Sequence, residues 1–136
     1  MNLKLIEYLN HGRYFRSKRP LTGEDKITYD FRQWLTDETI EGRIGFVWFH
    51  VANEISDNKA FVFGAKLRAL GKLPGVSDYI FIKGNRSAVL ELKSGKNRLS
   101  DSQHIFLDWC AQHGVLYCVA RSVEEAQEFV KLFEES

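Results

Sequence analysis

Two short apolar runs, Val76 to Ile82 and Ala88 to Lys93, are separated only by Lys83-Gly84-Asn85-Arg86. This arrangement constrains the fold more than anything else in the chain. β-Branched and aromatic residues favour strands, and a tight Gly-containing break between two such runs predicts an antiparallel hairpin. Successive side chains of a strand point to opposite faces. Leu90 and Leu92 therefore face a core, while Glu91 and Lys93 share the other face. Asp78 lies on the preceding strand, where a hairpin can bring it beside Glu91.

The flanking sequence supplies helices. Leu3, Ile6 and Leu9 are spaced like one face of a short helix. A polar, basic connection follows from His11 to Pro20. Thr22 with Asp25 has the spacing of a capping box, and Ile27, Phe31, Trp34 and Leu35 form the stripe of a second helix. Phe46 to Val51 reads as a strand, and residues 60 to 70 read as a helix ending at Gly71. Ser100 and Gln103 form a capping box opening a helix to His113, with Ile105, Phe106, Trp109 and Cys110 as its apolar face and Gly114 as its stop. Val115 to Ala120 is uninterruptedly apolar, which predicts a strand buried on both faces. Ser122 and Glu125 open a last helix, with Ala126, Phe129, Val130 and Phe133 turned inward. This alternation argues for an α/β fold with a central mixed β-sheet flanked by helices. Residues 1-45 are expected to be a helical segment that packs on the core or dimerises it, and residues 46-136 to be the core itself.

Length and composition fit one globular domain with a core that needs no disulfides: 136 residues, 44% hydrophobic and 27% charged. Cys110 and Cys118 sit in apolar surroundings without a ligand cluster and are expected to be two buried thiols in a reducing, cytoplasmic compartment. The N-terminus is too polar for a signal peptide, and no run approaches the length of a membrane span.

The net charge of +1 hides an uneven distribution. Residues 59 to 98 carry nine basic side chains and two acidic ones, whereas residues 99 to 136 carry two and seven. A basic block is the electrostatic footprint of a polyanion, although a solvated lysine-rich surface gives the same pattern. Its two acids are Asp78 and Glu91. Adjacent carboxylates raise one another's pKa, and a hard cation relieves the repulsion. Mg²⁺ takes few carboxylates and keeps positions for water and phosphate oxygens. Such an ion activates water and polarises a phosphodiester, and Lys93 beside it can stabilise the developing charge. Spacing alone also permits an ordinary Glu-Lys pair across a strand and a turn aspartate. His50, His104 and His113 are expected to be exposed or satisfied histidines, not ligands. The cluster from Arg13 to Arg19 is open to two readings, a phosphate-binding patch or a linker.

Four segments carry a resemblance: FHVANE (Phe49 to Glu54), GKLPGVSDYIFI (Gly71 to Ile82), LELKSG (Leu90 to Gly95) and LSDSQ (Leu99 to Gln103). In this order and spacing, the chain from Phe49 onward resembles a VRR-NUC domain, a branch of the PD-(D/E)xK nucleases with a restriction-endonuclease-like core. The resemblance implies that Asp78 and Glu91 are metal ligands, with the carbonyl of Leu92 as a third and Glu54 as an additional acid. It implies that Lys93 is catalytic and that Gln103 lies close to the active site, its capping role remaining the main one. Ala52 and Ser77 stand where proline is usual, which changes loop stiffness more than chemistry. Lys96 and Arg98, in the loop after Lys93, are candidate phosphate contacts.

The expected function is a Mg²⁺- or Mn²⁺-dependent DNA endonuclease, acting on branched DNA such as a Holliday junction in DNA repair. Resolving a four-way junction takes two active sites, so a homodimer is expected. Two other readings stay open: an exonuclease or flap nuclease using the same site, and a non-catalytic DNA-binding module.

Overall fold

A computed structural model of the chain describes residues 2–52 and 60–136. Its elements run α1 (Leu3–Asn10), α2 (Gly23–Ile40), β1 (Val47–His50), α3 (Ala60–Ala69), β2 (Tyr79–Lys83), β3 (Arg86–Leu92), α4 (Asp101–Gln112), β4 (Leu116–Ala120) and α5 (Val123–Glu135). The strands form one mixed sheet in the order β1-β2-β3-β4. β1 and β2, and β2 and β3, are antiparallel, whereas β4 runs parallel to β3 after the α4 crossover. The architecture is α/β, as the alternation of sequence patterns predicts.

The predicted hairpin forms. Lys83 pairs with Arg86, so Gly84 and Asn85 are its two-residue turn, with Gly84 at φ 60°. β2 begins at Tyr79, later than the apolar run suggests, because residues 74–78 belong to the approach turn.

Alternation along β3 divides the core. Ala88, Leu90 and Leu92 join Phe31 and Leu35 of α2, Tyr79 and Phe81 of β2, and Ala126, Val130 and Phe133 of α5. Burying a side chain such as Phe81 contributes roughly 1.5–3 kcal/mol, and edge-to-face packing of Phe46 on Phe133 and of Phe31 on Tyr79 fixes the arrangement. On the opposite face Val89 packs with Leu107 and Cys110 of α4.

Three sequence expectations are corrected. β4 is an edge strand, with Leu116 and Tyr117 exposed rather than buried on both faces. α4 turns Phe106, Leu107 and Cys110 inward, leaving Ile105 and Trp109 exposed, because α4 lies across β3 and β4 on a narrow stripe. Thr22 occupies the N-cap position of α2, but its side chain makes no capping hydrogen bond. By contrast, the box at Ser100 and Gln103 is complete. Ser122 caps Glu125 as expected, while the Glu125 carboxylate reaches the Arg121 N–H.

The N-terminal segment is tied to α2. Buried Arg13 donates to the Gln33 side chain (2.7 Å) and backbone carbonyl (3.1 Å) and ion-pairs with Asp37. Arg13 is thus committed to the scaffold, while Arg16, Lys18 and Arg19 remain exposed. Cys110 and Cys118 are free thiols, but only Cys110 is buried; Cys118, on the edge strand β4, is half-buried rather than buried as expected. Among the described residues no helix is long and apolar enough to cross a membrane.

Candidate functional site

The register Tyr79 to Leu90 places Asp78, one residue before β2, opposite Glu91. Two backbone bonds fix Asp78 there. Its carbonyl accepts from the Val51 N–H (2.7 Å), and its Oδ2 accepts from the Leu92 N–H (2.7 Å). Glu91 is only 4% exposed. Its Oε1 accepts a hydrogen bond from Gln103 Nε2 (2.8 Å), and the Gln103 Oε1 accepts from the Ser100 N–H (2.8 Å). One amide therefore closes the helix cap and holds the buried carboxyl.

Gly75 makes that reach possible. At φ +79°, it lies so close to α4 that a Cβ would sit 2.3 Å from the Ser102 carbonyl carbon and 2.6 Å from the Gln103 nitrogen. Only glycine lets the Pro74-Gly75 turn press against the first turn of α4. Next to it Ser77 is buried, and its hydroxyl has no hydrogen-bond partner among the described residues.

Asp78 and Glu91 sit close enough for each to act on the other's ionisation. Burial, then the Asp78 charge, push Glu91 from the ordinary 4.5 up to about 8; Glu24 adds to this and Lys93 opposes it. Burial also raises Asp78, against the Leu92 N–H, His50, Glu91 and Lys93. Glu91, raised to about 8 chiefly by burial, is the carboxyl that keeps its proton at neutral pH. Two carboxyls this close ionise together only when positive charge is brought to them.

They line a pocket of about 500 Å³ that also contains Lys93, Leu92, Gln103 and Ser100. From α2 come Glu24 and Thr28, which the sequence pattern did not single out, and Asp25, which it read only as a capping-box residue. An acidic pair in the first turn of a helix reads as a response to the helix dipole. Which way it faces depends on tertiary packing. His50 lines the pocket as well, exposed and edge-on to Tyr79 at 5.1 Å.

Lys96 and Arg98 are exposed and lie outside this lining. Their loop is braced by Arg121, which donates to the carbonyls of Gly95 (3.0 Å) and Asn97 (2.7 Å). Glu54 lies outside the described residues. Among those described, no group of three or more His, Cys, Asp or Glu side chains is gathered to hold a metal ion. The facing carboxyls of Asp78 and Glu91 nevertheless suit a hard cation that draws its other ligands from water and substrate.

A family model for the VRR-NUC domain matches residues 53–124. A solved structure described as a VRR_NUC domain protein superposes with a TM-score of 0.50 at 16% identity, covering 96% of this chain and 86% of that chain. A likeness at that identity concerns the fold alone. No curated protein matches.

Proposed function

The chain belongs to the VRR-NUC domain family, a family of nucleases, and on that premise we propose that it is a divalent-metal-dependent endonuclease hydrolysing DNA phosphodiester bonds. The observation that supports this reading is that Asp78 lies opposite Glu91 in one pocket with Lys93. Asp78 and Glu91 would hold Mg²⁺ or Mn²⁺, with Glu24 supplying further negative charge and the Leu92 carbonyl and Glu54 as additional ligands. Bound there, the ion supplies an activated water and a polarised phosphate.

The chain's own residues do the rest. The Leu92 N–H orients Asp78, and Gln103 orients Glu91, which keeps both carboxylates aimed at one point. The Lys93 ammonium stabilises charge developing on the phosphate oxygens. Lys96 and Arg98, on their braced loop, contact flanking phosphates, which position DNA without reading its sequence.

Branched DNA is the substrate and a homodimer the active form, since a four-way junction needs two cuts and each chain offers one carboxylate pair. The free thiols support a reducing, cytoplasmic setting.

The test is incubation with circular plasmid and a synthetic four-way junction in Mg²⁺, Mn²⁺ or EDTA. The expected result is cleavage of both with metal, paired cuts in the junction, and loss of cleavage in Lys93→Ala with folding intact. Binding without cleavage under every condition refutes the hydrolase. Intact circles alongside degraded linear DNA refute the endonuclease.

A further inference from the structure

A second, larger cleft, of about 1100 Å³, opens between α1, the polar connection after it, α2 and β1. It adjoins the carboxylate pocket, since Asp25, Thr28 and His50 line both. Hydrolysis as described above makes no use of it.

Its lining has a distinctive chemistry. Tyr79 is 1% exposed, and its ring is held edge-on by Phe31 and by His50, each at 5.1 Å. Its hydroxyl is not sealed in the core, and the residue lines the cleft, where the phenol can meet a ligand. Arg32 donates through one guanidinium nitrogen to the carbonyls of Leu9 (2.8 Å) and His11 (3.2 Å). That pins a flat cation against the cleft wall. Tyr8 and Phe15 line the cleft with rings largely exposed to solvent. Arg16, Lys18 and Arg19, exposed in the same connection, add positive charge beside them.

Aromatic faces next to positive charge are how proteins hold single strands, because every base offers a π-face and every nucleotide a phosphate. A duplex keeps its bases stacked and offers nothing to such a cleft. We infer that this cleft takes an unpaired nucleotide of the nucleic acid whose phosphodiester lies at Asp78 and Glu91. Its base packs against Tyr8 and Phe15, and its polar edge meets the Tyr79 hydroxyl and Arg32. The inference rests on the nuclease reading for the identity of the ligand. It goes beyond that reading by assigning the N-terminal segment a role in selecting substrates with unpaired nucleotides beside the cut.

The experiment measures fluorescence anisotropy of a short labelled oligothymidylate, and of a blunt duplex of equal length, with the full chain in EDTA so that nothing is hydrolysed. The oligothymidylate is expected to bind. The double variant Tyr8→Ala/Phe15→Ala should weaken it by about 10-fold or more, the scale of a lost base stack, while duplex affinity stays unchanged. Tyr79→Phe, which deletes the hydroxyl and keeps the core ring, should weaken it by about 3- to 10-fold. No oligothymidylate binding by the wild type, unchanged affinity in both cleft variants, or equal loss on the duplex would each overturn the inference. Plasmid cleavage by the same preparation separates the two readings. Cleavage without oligothymidylate affinity rejects the cleft alone. Affinity without cleavage in Mg²⁺ or Mn²⁺ rejects the hydrolase and leaves the cleft standing.

Discussion

Gln103 touches Glu91 across the gap between α4 and β3, its Nε2 donating to the carboxyl Oε1 at 2.8 Å while its Oε1 accepts the Ser100 N–H at the helix cap. Stability and site geometry thus meet in one side chain, and substitution can separate them. Gln103→Ala should lose the reciprocal cap and about 1 kcal/mol of stability, together with about 10- to 100-fold in cleavage rate, as expected when a group orienting a ligand is removed. Gln103→Glu keeps a capping-box residue but sets a third carboxylate against Glu91. It should unfold in urea near the wild-type midpoint and still lose cleavage. Wild-type turnover in Gln103→Glu would restrict Gln103 to its cap.

Gly75 controls whether that contact exists. Its positive φ and its closeness to Ser102 and Gln103 leave no room for a Cβ. Gly75→Ala should cost about 1–3 kcal/mol in urea unfolding, the scale of a strained backbone position, and should lower cleavage beyond what the folded fraction accounts for, because α4 is pushed off the carboxylates. An unchanged midpoint would mean that α4 yields freely.

The hairpin and the Ser100 capping box were legible in the sequence because each is decided within a few residues, by alternation, a Gly turn or an N-cap spacing. The sharing of one face by Glu91 and Lys93, and the placing of Asp78 opposite Glu91, follow from those local rules. Other features are tertiary. Whether Ile105 and Trp109 face a core depends on where α4 crosses the sheet, and Leu116 is exposed because β4 has a neighbour on one side only. Thr22 and Asp25 show the limit of spacing: the pattern of a box is present, yet the Thr22 side chain caps nothing and Asp25 turns toward the site. The contribution of Glu24, far from Glu91 in sequence, needed the packed structure.

The carboxyl pair also sets a pH dependence. Glu91 is raised from 4.5 to about 8, and Asp78 is raised too. Between these values the folded chain holds more protons than the unfolded chain, so stability falls as pH rises. In EDTA the thermal midpoint should decline from about pH 5 to about pH 8. Glu91→Gln should flatten that slope, and added Mn²⁺ should offset the decline at its alkaline end. A midpoint that climbs with pH across this window in EDTA would contradict the upward shift of Glu91.

The most direct test of the central claim, that Asp78 and Glu91 form one cation site kept protonated until an ion arrives, is calorimetric titration of Mn²⁺ near pH 7 in buffers of different ionisation enthalpy. Binding by the wild type should release close to one proton per ion, roughly that held by Glu91, and Asp78→Asn should weaken affinity by about 10-fold or more. Absence of Mn²⁺ uptake, or uptake with no proton release and equal affinity in Asp78→Asn, would contradict the account.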